Sequence, residues 1–159
     1  MSYPYFDYND YVTFYGKGVC FQDFNRLSIE ACRKLDNHTT GADGVKKLRH
    51  AFPTDADDAQ SVKLCGCKLV NLMAQMEAAE KSLGYEVTEN GLRGKVISSV
   101  SAGNESISYS VGSATMIDKA LSDPAVKEKL FRDTIREGLS GVADANGVNL
   151  LYMGCYPRR

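Results

Sequence analysis

The chain has 159 residues, enough for one ordinary domain with a real core, since at this length roughly 70% of the unfolded chain's surface can be buried. It is 43% apolar and 25% charged, and a net charge of −1 gives no global electrostatic case for a nucleic-acid or membrane partner. Five cysteines, an odd number, and an N-terminus without a basic region followed by an apolar run argue against a disulfide framework and for synthesis in a reducing cytoplasm.

Residues 1–15 hold seven aromatic side chains: Tyr3, Tyr5, Phe6, Tyr8, Tyr11, Phe14 and Tyr15. Such a cluster is either a lid on the domain's own core or a patch held against a neighbouring subunit, because aromatic residues are enriched in interface cores. From Phe21 to Asn37 the apolar positions Phe24, Leu27, Ala31 and Leu35 recur at helical spacing, opposite a face bearing Arg26, Glu30, Arg33 and Lys34. Asn37 to Pro53 breaks this pattern: Thr39, Thr40, Gly41 and Gly44 mark a loop, with Val45–His50 as a candidate helical turn.

Thr54 with Asp57 resembles a capping box and opens the clearest element. Val62, Cys65, Leu69, Leu72, Met73, Met76 and Leu83 then keep helical spacing up to Gly84, a C-cap candidate. A helix over 55–83 would be about 43 Å long and would organise the domain around it. Turn formers Thr88, Asn90 and Gly91 follow. Lys95–Ser101 and Glu105–Val111 then read as strands, with Ile107, Tyr109 and Val111 alternating with serines and Ala102-Gly103-Asn104 as the turn. This β-hairpin over 95–111 has no lysine or proline guarding its serine-rich edge, so it pairs either within the domain or with another subunit.

Helix is predicted again after Ser122, with Asp123 as N-cap, Pro124 at the first helical position, a stripe of Val126, Leu130, Ile135 and Leu139, and Gly141 as its end. The tail from Val148 is apolar up to Pro157 and must dock on its own domain or on a partner. The fold class is therefore mainly α: one domain over 1–159, a small helical bundle organised by one long central helix. Its parts are N-terminal helices in 1–83, a protruding hairpin at 95–111, a helix at 123–141 and an extended docking segment at 148–159.

The chemistry-bearing residues form no diagnostic constellation. His38 and His50, each in or beside the loop between helices, are expected to be solvated, since neither is spaced with a nucleophile or carboxylate. Cys65 and Cys67 stand two apart on a helix, about 200° around its axis, so they cannot chelate one metal and read as buried small residues. Asp55, Asp57 and Asp58 suit a helix N-terminus. Lys46, Lys47, Arg49, Arg158 and Arg159 are the only hints of polyanion contact, and read as solvated faces. No catalytic, cofactor or metal site is assigned. No stretch approaches the roughly 20 apolar residues that span a bilayer.

Taken in order, several segments resemble a known family. They are Tyr3-Pro-Tyr-Phe6, the helix with Phe24-Asn-Arg-Leu27 and Ala31 ending Leu35-Asp-Asn-His-Thr39, and the long helix with Val62-Lys and Lys68-Leu-Val-Asn-Leu72. The serine-rich hairpin and a closing Leu150-Leu-Tyr-Met-Gly154 complete the set. Together they look like the head–tail connector (head-completion) proteins of tailed bacteriophages, whose closing pattern is usually Leu-Leu-Tyr-Arg-Gly, with Met153 here in the arginine's place. The resemblance implies a structural virion protein of the phage neck, not an enzyme, made in the host bacterial cytoplasm. It would form a ring, expected to be dodecameric, that docks on the portal protein, extends the DNA channel and meets the next stopper or tail-terminator protein. Genome DNA would pass through without sequence-specific binding, and no membrane is involved. The candidate inter-subunit or partner contacts are Tyr3, Tyr5, Phe6, Ile107, Tyr109, Val111, Leu150, Leu151, Tyr152 and Met153. Another phage tail-completion or adaptor protein, or a small helical nucleic-acid-binding domain, stands as the alternative.

Overall fold

A computed structural model describes residues 3–82, 85–88, 91–94, 99–102, 105–108 and 116–157; in the stretches between 85 and 108 it describes the backbone alone. Six helices occur among these residues, and the protein is mainly helical: α1 (Tyr8–Tyr15), α2 (Phe21–Thr39), α3 (Lys47–His50), α4 (Ala56–Ser82), α5 (Met116–Ser122) and α6 (Pro124–Gly138). None is long and apolar enough to cross a membrane. The chain divides into two compact units, Met1–Ala74 with Phe131–Arg159, and Gln75–Leu130.

Local chemistry explains the helix boundaries, and three differ from expectation. Asp7 caps α1 by accepting from Asp10 N at 2.9 Å, while the Asp10 carboxylate accepts from Asp7 N at 3.0 Å, a reciprocal capping box. α2 runs two residues past Asn37 because hydroxyls take up its final carbonyls: Thr39 Oγ1 donates to Leu35 O at 2.8 Å and Thr40 Oγ1 to Asp36 O at 2.6 Å. α4 is capped by Asp55 rather than Thr54, its Oδ1 accepting from Asp57 N and Asp58 N at 3.0 and 3.1 Å. α6 starts as read, with Asp123 Oδ1 accepting from Ala125 N at 2.8 Å, but ends at Gly138 rather than Gly141. Gly141, at φ +81°, instead sits in the turn that follows.

The larger unit is built on aromatic and small residues. Phe24 of α2 stands among Phe6, Tyr8 and Tyr11, with ring centroids at 6.0, 5.3 and 5.6 Å. Each such pair adds about 0.5–1.5 kcal/mol beyond area burial. The stripe Phe24, Leu27, Ala31 and Leu35 is buried as predicted. On α4, Cys65, Gly66 and Cys67 are buried in succession, in line with the reading of both cysteines as buried small residues, so the helix is covered on opposite faces at this level. The Phe6 ring lies against Gly66, and Cys65 Sγ lies 2.8 Å from where a Cβ on Gly138 of α6 would stand. Cys67 feels instead the carboxylates of Asp10 in α1 and of its cap Asp7, which add to the effect of burial on its thiol. Burial pushes the Cys32, Cys65 and Cys67 thiols up to about 12, which keeps them protonated and apolar in character. The ion pairs Lys63–Asp10 (3.1 Å) and Lys68–Glu137 (3.0 Å) link the same helices from the periphery, worth about 0.2–1 kcal/mol each at such exposure.

In the smaller unit Tyr85–Thr88 (β1) pairs antiparallel with Gly91–Gly94 (β2), where sequence indicated only turn formers. Ser99–Ala102 (β3) pairs antiparallel with Glu105–Ser108 (β4), Ser99 opposite Ser108. α5 was not expected, since two turns are too short for a periodic signal. The Gly84 cap, residues 95–98, 103–104 and 109–111 of the expected hairpin, and Arg158 and Arg159 lie outside the described residues.

Gly66→Ala tests the close approach of Phe6. Helix propensity alone would favour alanine by about 1 kcal/mol, but the added methyl would overlap the ring. The expected result in urea unfolding is a net loss of about 1–3 kcal/mol. A gain in stability would show that Phe6 does not hold α4 at this point.

Candidate interaction surface

The C-terminal segment is tied to the stretch between α2 and α4 through its own main-chain groups, which meet both main-chain and side-chain partners there. Thr40 and Lys46 form an antiparallel bridge around a turn in which Gly44, at φ +78°, donates to Gly41 O at 3.0 Å. Ala143 and Asn149 form a second bridge around a second turn. There Asp144 Oδ1 accepts from Asn146 N and Val148 N, both at 2.9 Å, and Gly147 N donates to Asp144 O at 2.9 Å. This is an Asx-type turn, in which a short carboxylate replaces missing backbone partners. Asp58, beyond its place at the start of α4, accepts from Ala143 N at 3.0 Å.

The two turns then meet. Ala42 N donates to Gly154 O at 3.3 Å and Tyr156 N to Asp43 Oδ2 at 2.9 Å. A Cβ on Gly41 would stand 2.9 Å from Gly154 O, so only glycine admits the C-terminal segment so close. The Tyr156 hydroxyl donates to Asp144 Oδ2 and accepts from Asn146 Nδ2. Its ring meets His50 edge-on at 5.0 Å. Between the turns lies an open cleft of about 710 Å³ whose lining includes Asp43, His50, Asn146 and Tyr156.

At the centre is Lys47, which corrects the reading of the basic run as a solvated face. Lys47 is fully buried, and its Nζ donates to Leu150 O at 3.1 Å and to Tyr152 O. Burial lowers its pKa, partly opposed by the carboxylates of Asp144 and Asp43. Arg49 keeps the exposed position of that reading but is also paired. Its Nε donates at 2.7 Å to Asp36, a carboxylate only 1% exposed that also accepts from the Tyr5 hydroxyl at 2.5 Å. The Arg49 guanidinium lies over the Tyr3 ring at 4.6 Å. Burial, then the bond to Asp36, holds the Tyr5 phenol well above its ordinary range. The chain's first residues are thereby fastened to α2 and α3.

The candidate contact residues separate accordingly. Tyr5, Phe6 and Leu150 are buried within their own chain and offer it no free surface. Leu151 is half-buried. Tyr3, Tyr152 and Met153 are exposed at 38%, 51% and 61%. Ile107, Tyr109 and Val111 lie outside the residues whose side chains are described. His38 lies in the last turn of α2 and His50 ends α3, each beside a loop. Sequence reading missed Asp36, Lys47, Asp144 and Tyr156. Two of these had signals: Ser28, Cys32 and Asp36 form a second i, i+4 row beside the apolar stripe, and Asp144-Ala-Asn-Gly147 is a turn signature. Among the described residues no three potential metal ligands converge.

Replacing Lys47 by methionine keeps the stem and removes the donors. The expected cost is about 1–3 kcal/mol for leaving two carbonyls without their partner, with faster amide exchange at Ala42 and Tyr156. Unchanged exchange at both amides would show that Lys47 does not hold the tail. Comparison with protein-family models, with curated proteins and with solved structures returned no match.

Proposed function

We propose that this chain is a structural subunit of the neck of a tailed phage, which assembles into a ring, docks on the portal and joins head to tail. The observation that most supports this reading lies in Leu150–Gly154, the segment that resembles the connector family's ending. Leu150 is fully buried and the backbone around it is held by Lys47, so Tyr152 and Met153 stand outward on a fixed support. A terminal apolar pair held rigidly in solvent loses little side-chain and backbone freedom on binding, which favours its use as a contact.

On this reading the protein is a small helical bundle organised by α4. The segment 95–111 is an arm that reaches a neighbouring subunit by strand addition, and the tail meets a second partner. Closed rings need such heterologous contacts, in which one patch fits a different patch on the next copy. Only Tyr3 of the N-terminal trio Tyr3, Tyr5 and Phe6 has surface to contribute, since the other two are core. A net charge of −1 suits a channel that passes DNA without gripping it.

The test is mass in solution, alone and mixed with a candidate portal protein. The expected result is a small species that becomes ring-sized with portal. A Tyr152→Ser, Met153→Ser double variant should stay folded, within about 0.5 kcal/mol of the parent because both sites are exposed, and should fail to join. A parent chain indifferent to portal at high concentration would overturn the connector reading in favour of an adaptor elsewhere in the tail.

A further inference from the structure

The chain contains the dipeptide Asn-Gly twice, at Asn90–Gly91 and Asn146–Gly147. In flexible peptides this pair deamidates spontaneously, because glycine leaves the following nitrogen unhindered. That amide nitrogen attacks the asparagine side-chain carbon, ammonia leaves, and a succinimide ring closes. Water then opens the ring at either carbonyl, giving aspartate or isoaspartate and one new carboxylate. Asn146 is exposed, so water and base reach it.

Two contacts oppose the reaction at Asn146. The attacking nitrogen is not free: Gly147 N donates to Asp144 O at 2.9 Å, with Gly147 held at φ +74°. The side chain is not free either: Asn146 Nδ2 donates to the Tyr156 hydroxyl at 2.8 Å. The hydroxyl's single proton already goes to Asp144 Oδ2, so the tyrosine can only accept from residue 146. An amide satisfies that demand and a carboxylate cannot.

We propose that Asn146 is a deamidation site gated by the closed C-terminal turn, and that its conversion prevents the turn from closing again. Reaction requires the 144–147 turn to open and Tyr156 to release the side chain. The product places a carboxylate beside the buried Asp144, removes a donor to Tyr156 and, as isoaspartate, lengthens the backbone of the turn by one carbon. Each change works against the docked tail, so conversion is a one-way record of tail opening.

The experiment is peptide mapping by mass spectrometry of the full chain, kept folded at mildly alkaline pH, beside a synthetic peptide of residues 142–149. The rate at Asn90–Gly91 in the same molecules is the internal reference. Asn146 in the folded chain should convert several-fold more slowly than in the peptide. Tyr156→Phe should raise its rate about fivefold, the factor expected for loss of one hydrogen bond, without moving the reference rate. Asn146→Asp should speed amide exchange at Val148 and Tyr156. Equal rates in folded chain and peptide, or a Tyr156→Phe rate unchanged at Asn146, would overturn the gate. Unaltered exchange in Asn146→Asp would overturn its consequence for the tail.

Discussion

The ammonium group of Lys47 has no exposure to water, and that single fact constrains everything around it. Burying an unpaired ammonium costs several kcal/mol, so the fold must bring oxygen to it. The oxygens are main-chain carbonyls of Leu150 and Tyr152, more than a hundred residues away in sequence. Two charge-assisted hydrogen bonds return about 1.5–3 kcal/mol each, which is close to the cost of burial. The burial of the lysine and the docking of the tail are therefore coupled, each offsetting part of the other's cost. The glycine at position 41, the Asx turn at Asp144 and the carboxylate of Asp43 all bring the tail to the point where its carbonyls meet the ammonium.

The same logic of answered polar groups runs through the N-terminal end. Asp36 is buried on α2 and is answered by Tyr5 and Arg49. Among the described residues no buried side-chain nitrogen or oxygen lacks a partner. The aromatic opening of the chain is thus largely interior. Tyr5 closes a polar network, Phe6 fills the space that Gly66 leaves open, and Tyr3 remains at the surface under the Arg49 guanidinium. Of the cluster read in the sequence as either a lid or a patch, Tyr5, Phe6 and Tyr11 are core, and Tyr3 is exposed.

What was legible in the sequence was whatever repeats. The stripe of α2, the extent of α4 and the Asp123-Pro124 start of α6 follow from spacing and capping chemistry that a few adjacent residues determine. The burial of Cys65 and Cys67 on opposite faces of α4 was also readable from their separation. Lys47 was not legible, because its partners are backbone carbonyls, which every residue possesses and no side chain advertises. Arg49 looked like part of a basic run for a different reason: its partner is a side chain, but Asp36 lies on another element. The tail reads in the sequence as apolar and docked, on its own domain or on a partner, but the sequence does not divide its residues. Leu150 inward and Tyr152 with Met153 outward is decided by where Lys47 grips the chain.

The most direct test of this account uses two adjacent lysines as each other's control. Lys46 is exposed and Lys47 is buried, with the same backbone neighbourhood. A brief reaction of the native protein with an amine-acetylating reagent, read by peptide mapping, should modify Lys46 readily and spare Lys47 until urea unfolds the chain. Equal modification of both lysines in the native protein would mean that Lys47 is open to solvent, and that the tail is held, if at all, by something else.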